Sequence, residues 1–163
     1  MDNLFTPAVG EWQRVSPRLA TVRRILLSSA AAVVVLVGVV LVLAMPDLWW
    51  IGAPVAVIGL GGGVWGWTWA GRNQRSWGYA ENADDLLVTR GVMFKRLVAI
   101  PYGRMQFVDV QAGPLARAFG IATVTLHTAS SETAADIPGL PAEEATRLRN
   151  RLTELGESRG AGL

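Results

Sequence analysis

Hydrophobic positions along the chain change their pattern once, near residue 71. Before it they come as two unbroken runs, "ILLSSAAAVVVLVGVVLVLAM" from Ile25 to Met45 and "IGAPVAVIGLGGGVWGWTWAG" from Ile51 to Gly71. Beyond it they alternate with polar residues over short stretches, the mark of strands with one buried face. The first run has 21 residues, and at about 1.5 Å per helical residue it reaches the thickness of a bilayer's hydrocarbon core. Its valines disfavour a helix in water, but lipid offers backbone groups no partner outside the helix, so the pattern predicts a membrane span over 25–45. A second span is predicted over 49–70.

Two other readings of the first run fit less well. A buried core helix needs a larger protein around it than the rest of this chain supplies. A signal peptide finds a small-residue cleavage site in "VLA" at Val42–Ala44, but its apolar region is typically ~7 to 15 residues and is not followed by a second span. Between the runs, Pro46 and Asp47 are expected to end one helix and start the next, with Asp47 as N-cap. Trp49 and Trp50 at one end of the second span, and Trp67 and Trp69 at the other, are expected to anchor it at the two interfaces. Trp50 and Trp67 are about 25 Å apart along a helix, close to the separation of the aromatic belts.

The second span also carries small residues at Gly52, Ala56, Gly59, Gly63, Gly66 and Ala70. Alternating steps of four and three keep them on one face, where another helix can approach closely. The first span, at Ala31 and Gly38, is the expected partner, and a helix of another protein is the alternative. The cluster "GLGGG" lacks the Lys-Ser/Thr of a phosphate-binding loop and lies inside a span.

In the second half the strand candidates are "SWGYAEN", "DLLVTRG", "VMFKRLVAIP", "MQFVDVQA", "IATVTLHT" and "TAADIPG". Turns are expected at 82–84, Gly91, 102–104, 113–120 and 130–133, with one short helical turn in "GPLARAF". A last helix starts with Pro141 in its first position. It carries Glu143 and Glu144 in its first turn, an apolar stripe of Ala145, Leu148, Leu152 and Leu155, and a stop at Gly156. The chain thus divides into a basic segment over 1–24, a transmembrane hairpin over 25–70, a small mainly-β domain with a C-terminal capping helix over 71–156, and a tail over 157–163.

Charge sets direction. Arg14, Arg18, Arg23 and Arg24 precede the first span, Arg72 and Arg75 follow the second, and the loop between has no Lys or Arg. The positive-inside rule therefore puts both termini in the cytoplasm. The formal net charge is only +2, so no strong nucleic-acid field is implied. With no cysteine and a single histidine, His127, thiol chemistry, disulfides and a histidine-built metal site within one chain are excluded.

No acid, base and nucleophile converge in the pattern. Asp84 and Asp85 are adjacent, which suits a turn better than a cooperating pair. Glu143 and Glu144 suit the helix dipole, His127 stands among threonines on a polar strand face, and Ser130 and Ser131 are loop residues. The remaining candidates are cations: Arg90, Lys95 and Arg96 flank the turn between the second and third strand candidates, and in a domain tethered close to an anionic leaflet each well-placed cation gains about 1 kcal/mol.

Three blocks carry a resemblance: "WQRVSPRLATVRRI", then "LLVTRGVMFKRLVAIPYGRMQFVDVQAGPLARAFGIATVTLHTA", then "IPGLPAEEATRLRNRL", with a two-span hairpin between the first and second. In this order they resemble the YdbS-like family (bPH2, DUF304) of bacterial membrane proteins with a bacterial pleckstrin-homology (PH) domain. The resemblance implies a pleckstrin-homology-like fold held at the cytoplasmic face of the inner membrane. It also implies a larger multi-domain relative as partner, and a link to envelope stress and tolerance of membrane-active peptides. The function expected is a non-enzymatic adaptor or assembly subunit, with another membrane protein or further copies of itself as partners and no cofactor, metal or nucleic acid. The alternative is an anionic-lipid-sensing module working through the basic turn.

Overall fold

The computed structural model describes residues 12–128 and 134–160. Two helices of 27 residues each, α1 (Arg18–Ala44) and α2 (Trp49–Arg75), are joined by a single 3-10 turn at Pro46–Leu48. Pro46 opens that turn, and the Leu48 N–H donates to the Met45 carbonyl at 2.9 Å. Asp47 sits inside the turn, so it does not cap α2 as expected, because the proline starts the turn one residue earlier. Both helices run past the apolar runs into their flanking arginines.

The chain divides into two compact units, Ala20–Arg72 and the residues on either side of it. In the first, α1 and α2 pack antiparallel, as the order of their contacts shows: Val42 meets Gly52, Gly38 meets Ala56, Val35 meets Gly59, Ala31 meets Gly63 and Leu27 meets Gly66. The most apolar windows of the two helices are only 6% and 11% buried. Leu36, Leu43, Ile58, Leu60 and Val64 are each more than 60% exposed. A core helix of a water-soluble protein would cover such residues, whereas lipid is their natural solvent.

Among the described residues the second unit is a β module of seven strands and two α-helices, with a 3-10 turn at Tyr102–Arg104. A four-stranded antiparallel sheet has the order β1-β2-β3-β4, from Gln13–Arg14, Gly78–Glu81, Asp85–Arg90 and Arg96–Pro101. A three-stranded sheet has the order β5-β6-β7, from Met105–Gln111, Ile121–Thr128 and Ala135–Pro141. A short α3 (Pro114–Ala118) links β5 to β6, and α4 (Ala142–Gly160) follows β7. The alternation in β6 puts Ala122, Val124 and Leu126 inside at 5% exposure or less. Ala145, Leu148 and Leu152 of α4 are fully buried against the core, with Tyr79, Leu86, Ile100 and Ile137.

Several boundaries differ from those expected. Strand β1 lies before the hairpin: Gln13 pairs with Tyr79 and Arg14 with Gly78, and Val15 is buried. The module therefore begins ahead of the spans, which are inserted into its first strand connection. Strand β4 starts at Arg96, since Gly91, at φ +113°, turns the chain so tightly that Val92–Lys95 form a loop. Pro141 ends β7, and α4 begins one residue later. Helix α4 does not stop at Gly156, because Arg159 holds its last turn to the β2–β3 turn, donating to the Ala83 carbonyl at 2.6 Å and pairing with Asp84 at 2.7 Å. The turn expected at 130–133 and the end of the expected tail, 161–163, lie outside the described residues.

Candidate membrane and partner-binding surfaces

The helical hairpin is built on missing side chains. A Cβ on Gly38 would lie 2.5 Å from the Ala56 backbone nitrogen, and one on Gly59 would lie 2.8 Å from a Val35 methyl. At Gly63 the nearest atom is the Ala31 Cβ at 3.1 Å, and at Gly66 it is Leu27 at 3.2 Å. Gly52, Ala56, Gly59, Gly63 and Gly66 thus face α1, and Ala70 is fully buried. Gly61 and Gly62 lie off that face, with nothing within 4 Å of a Cβ.

The tryptophans lie toward the helix ends. Trp49 and Trp50 are 63% and 61% exposed. At the other end the Arg24 guanidinium lies 4.8 Å from the Trp67 ring centroid, and its Nε donates to the Trp67 carbonyl at 3.4 Å. Trp69 stacks on Trp65 at 6.3 Å. The spacing of the belts points to Trp67 and says nothing of Trp65.

The three cations of the β3–β4 turn are arranged around an apolar tip. Arg90 and Arg96 are the last cross-strand pair before it, and the Arg90 guanidinium lies 5.9 Å from the Trp77 ring centroid. Lys95 lines a cavity of about 200 Å³ with Arg14, Arg75, Trp12 and Trp77. The tip itself, Val92-Met93-Phe94, is exposed, Met93 and Phe94 to 85% each. The alternation rule read these residues as the start of a strand, because an apolar run looks the same whether it is buried or presented.

Around α4 the polar groups form a staple. The Tyr79 hydroxyl donates to Glu144 Oε1 at 2.8 Å, Arg147 donates to both Glu144 oxygens, and Arg147 also pairs with Glu81, which Arg151 reaches at 3.4 Å. The hydrogen bonds from Arg147 hold the Glu144 carboxyl below its ordinary range. Burial, then the bond to Glu144, pushes the Tyr79 hydroxyl up. Burial, with Glu81 and Asp85 nearby, pushes Tyr102 up to about 12. Glu81, Asp84 and Glu144 sit in ion pairs and Asp85 accepts from Asn82. His127 stacks on Phe107 at 4.1 Å. These arrangements tie elements together, and none aims an acid and a base at one cavity.

One further surface lies beside β5. This strand has a strand neighbour, β6, on one side only. A groove of about 360 Å³ runs between its residues Met105–Val108 and the α4 residues Leu152, Thr153, Gly156 and Glu157. A bulge between Met105 and Phe107 bends the strand there. The groove depends on the position of α4, which no local pattern gives.

The comparisons agree with this anatomy. The model of the Bacterial PH domain family matches residues 15–156, a stretch that includes both apolar helices. Over 79 residues the chain is 35% identical to the UPF0699 transmembrane protein YdbS of Bacillus subtilis (strain 168), covering 48% of each chain. The matched part thus spans about half the length of that relative. No solved structure matches the chain. With two transmembrane helices inserted into a seven-stranded, helix-capped β module, the chain is a membrane protein that belongs to the bacterial PH-domain family.

Proposed function

We propose that the chain is a non-enzymatic, membrane-anchored adaptor or assembly subunit. The hairpin holds the β module at the cytoplasmic face of a bacterial inner membrane with both termini inside, an orientation supported by the arginines outside the two spans and their absence between them. The module then offers the β5–α4 groove to an extended segment of another membrane protein. A larger relative with several such domains fits this description. A role in envelope stress and tolerance of membrane-active peptides is then exerted through that complex.

The observation that carries this reading is the groove beside an edge strand. An extended segment laid along β5 gains main-chain hydrogen bonds, while side chains entering the groove give selectivity. The bulge suits a short segment, because it bends the edge away from long strand pairing. Engagement of Glu81, Asp84, Asp85 and Glu144 in turns and ion pairs supports a binding role over catalysis.

The test is the mass of the complex extracted from native membranes. Thr153 is exposed on α4, so Thr153→Trp fills the groove without entering the core. The wild-type chain should run with a heterologous protein and the variant without it. A complex unchanged in the variant, or one made only of copies of this chain, sinks the reading. A fusion at Leu163 that is active only outside the cell would overturn the orientation.

A further inference from the structure

We propose that the β3–β4 tip is a membrane-inserting finger. Met93 and Phe94 enter the headgroup–acyl boundary of the bilayer that the hairpin crosses, and Arg90, Lys95 and Arg96 meet anionic headgroups around them. This goes beyond the adaptor reading and does not depend on the β5–α4 groove.

The tip is unusual for a turn. Polar residues and glycine dominate turns, yet here Val92, Met93 and Phe94 follow one another and the last two are 85% exposed. Gly91 holds the shape: at its φ of +113° a Cβ would overlap the Phe94 carbonyl oxygen. The loop backbone therefore folds back on itself and presents the two large side chains outward. A contiguous exposed apolar patch rimmed by charge marks a contact surface, and an aromatic ring beside cations is the composition that suits a headgroup layer.

Topology gives the tip its partner. The register runs from Arg14 to Gly78, from Gly78 to Thr89 and from Thr89 to Leu97, so the near ends of all four strands are aligned. The β3–β4 turn is thus at the sheet end where the chain leaves β1 for α1 and returns from α2 to β2. Gln74 Nε2 donates to the Val15 carbonyl at 2.8 Å and the Arg14 guanidinium donates to the Arg75 carbonyl at 3.3 Å, closing that end. A bilayer is tethered to this end of the sheet by two chain connections. The cations flanking the finger match the negative charge of an anionic leaflet.

The chain has no cysteine, so Met93→Cys or Phe94→Cys, labelled with the fluorophore NBD, reports the tip in the full-length protein. The protein is reconstituted in vesicles of phosphatidylcholine with phosphatidylglycerol, and Gln111→Cys on an exposed position of β5 serves as control. We expect blue-shifted emission at 93 and 94, quenched by a spin label on the lipid chain and shielded from aqueous iodide, with the reverse at 111. Replacing Arg90, Lys95 and Arg96 together by Ala should lower the inserted-to-free ratio on the order of a hundredfold, as read from the emission shift. Emission at 93 and 94 that stays solvent-like overturns the proposal. So does shielding from iodide without lipid quenching, which would mean that protein covers the tip.

Discussion

Gly38 and Gly52 meet backbone to backbone: a Cβ on either would lie 2.8 Å from the carbonyl oxygen of the other. Neither backbone can yield, so Gly38→Val or Gly52→Val must push the helices apart. Overpacking of this kind costs about 1–3 kcal/mol. Gly61→Ala and Gly62→Ala, where a Cβ meets nothing within 4 Å, should leave the hairpin intact. Energy transfer between labels on α1 and α2 in detergent, followed through denaturation, distinguishes the two pairs; equal loss in both would remove the close-approach argument.

Strand β1 completes the first sheet from the far side of the hairpin. A fragment of residues 73–160 should therefore expose the free edge of β2 and the cavity left by Val15, and should aggregate or unfold without a cooperative transition. Joining residues 12–17 to residue 75 through a short glycine-rich turn should restore a soluble, cooperatively melting module. Circular dichroism and light scattering on the two fragments decide it. Equal behaviour would mean that the β1 pairing contributes nothing.

Tyr79 and Tyr102 are the chain's two tyrosines, and both hydroxyls are held above the ordinary value, Tyr102 at about 12. In the unfolded chain each ionises near pH 10. Because the folded values are higher, the stability these groups lend is complete below about pH 10 and is lost as pH rises through the folded values. Tyrosinate absorbance at 295 nm should be absent from the native protein at about pH 10.5 and appear together with alkaline unfolding. Ionisation near 10 with the fold intact would contradict this.

Glu144 has the opposite sign. Its folded value is depressed by Arg147, so its contribution is present above the unfolded value and lost as pH falls through the folded one. Glu144→Gln should cost about 1–2 kcal/mol at neutral pH, at the lower end because Arg147 is exposed. It should also flatten the acid limb of the stability curve. Urea titrations at several pH values measure both, and a loss that is equal at neutral and acid pH would rule out the ion pair as the cause.

Two glycines of the module should respond in opposite directions. Gly139 has φ +75°, and a Cβ there would lie 2.7 Å from the Leu19 Cβ, so Gly139→Ala should destabilise by about 1–3 kcal/mol. Gly156 lies within α4, where a Cβ would come no closer than 3.7 Å to the Tyr102 carbonyl oxygen. Gly156→Ala should stabilise by up to about 1 kcal/mol through helix propensity. Thermal melts in detergent should shift by a few degrees each way, and a shared direction would refute the assignment.

The hairpin and strands β2 to β7 were legible because each follows from a local rule: an uninterrupted apolar run for a span, period-two alternation for a half-buried strand. The small-residue face was legible for the same reason. What escaped depends on distant partners. Gln13–Arg14 shows no alternation, and its strand character comes entirely from pairing with Tyr79 and Gly78. Gly156 reads as a stop signal, yet Arg159, gripping the β2–β3 turn, carries the helix past it. Met93 and Phe94 read as strand, since hydrophobicity records a preference for leaving water and not which surface provides the escape.

The order of synthesis gives the inserted hairpin a last consequence. The ribosome makes β1 first and β2 only after both spans have emerged, so the first strand must wait, unpaired, while the translocation machinery handles the helices. Quality control of the module is thereby coupled to membrane insertion. A chain whose second helix fails to return cannot bring β2 beside β1, and its unfinished sheet is open to proteolysis.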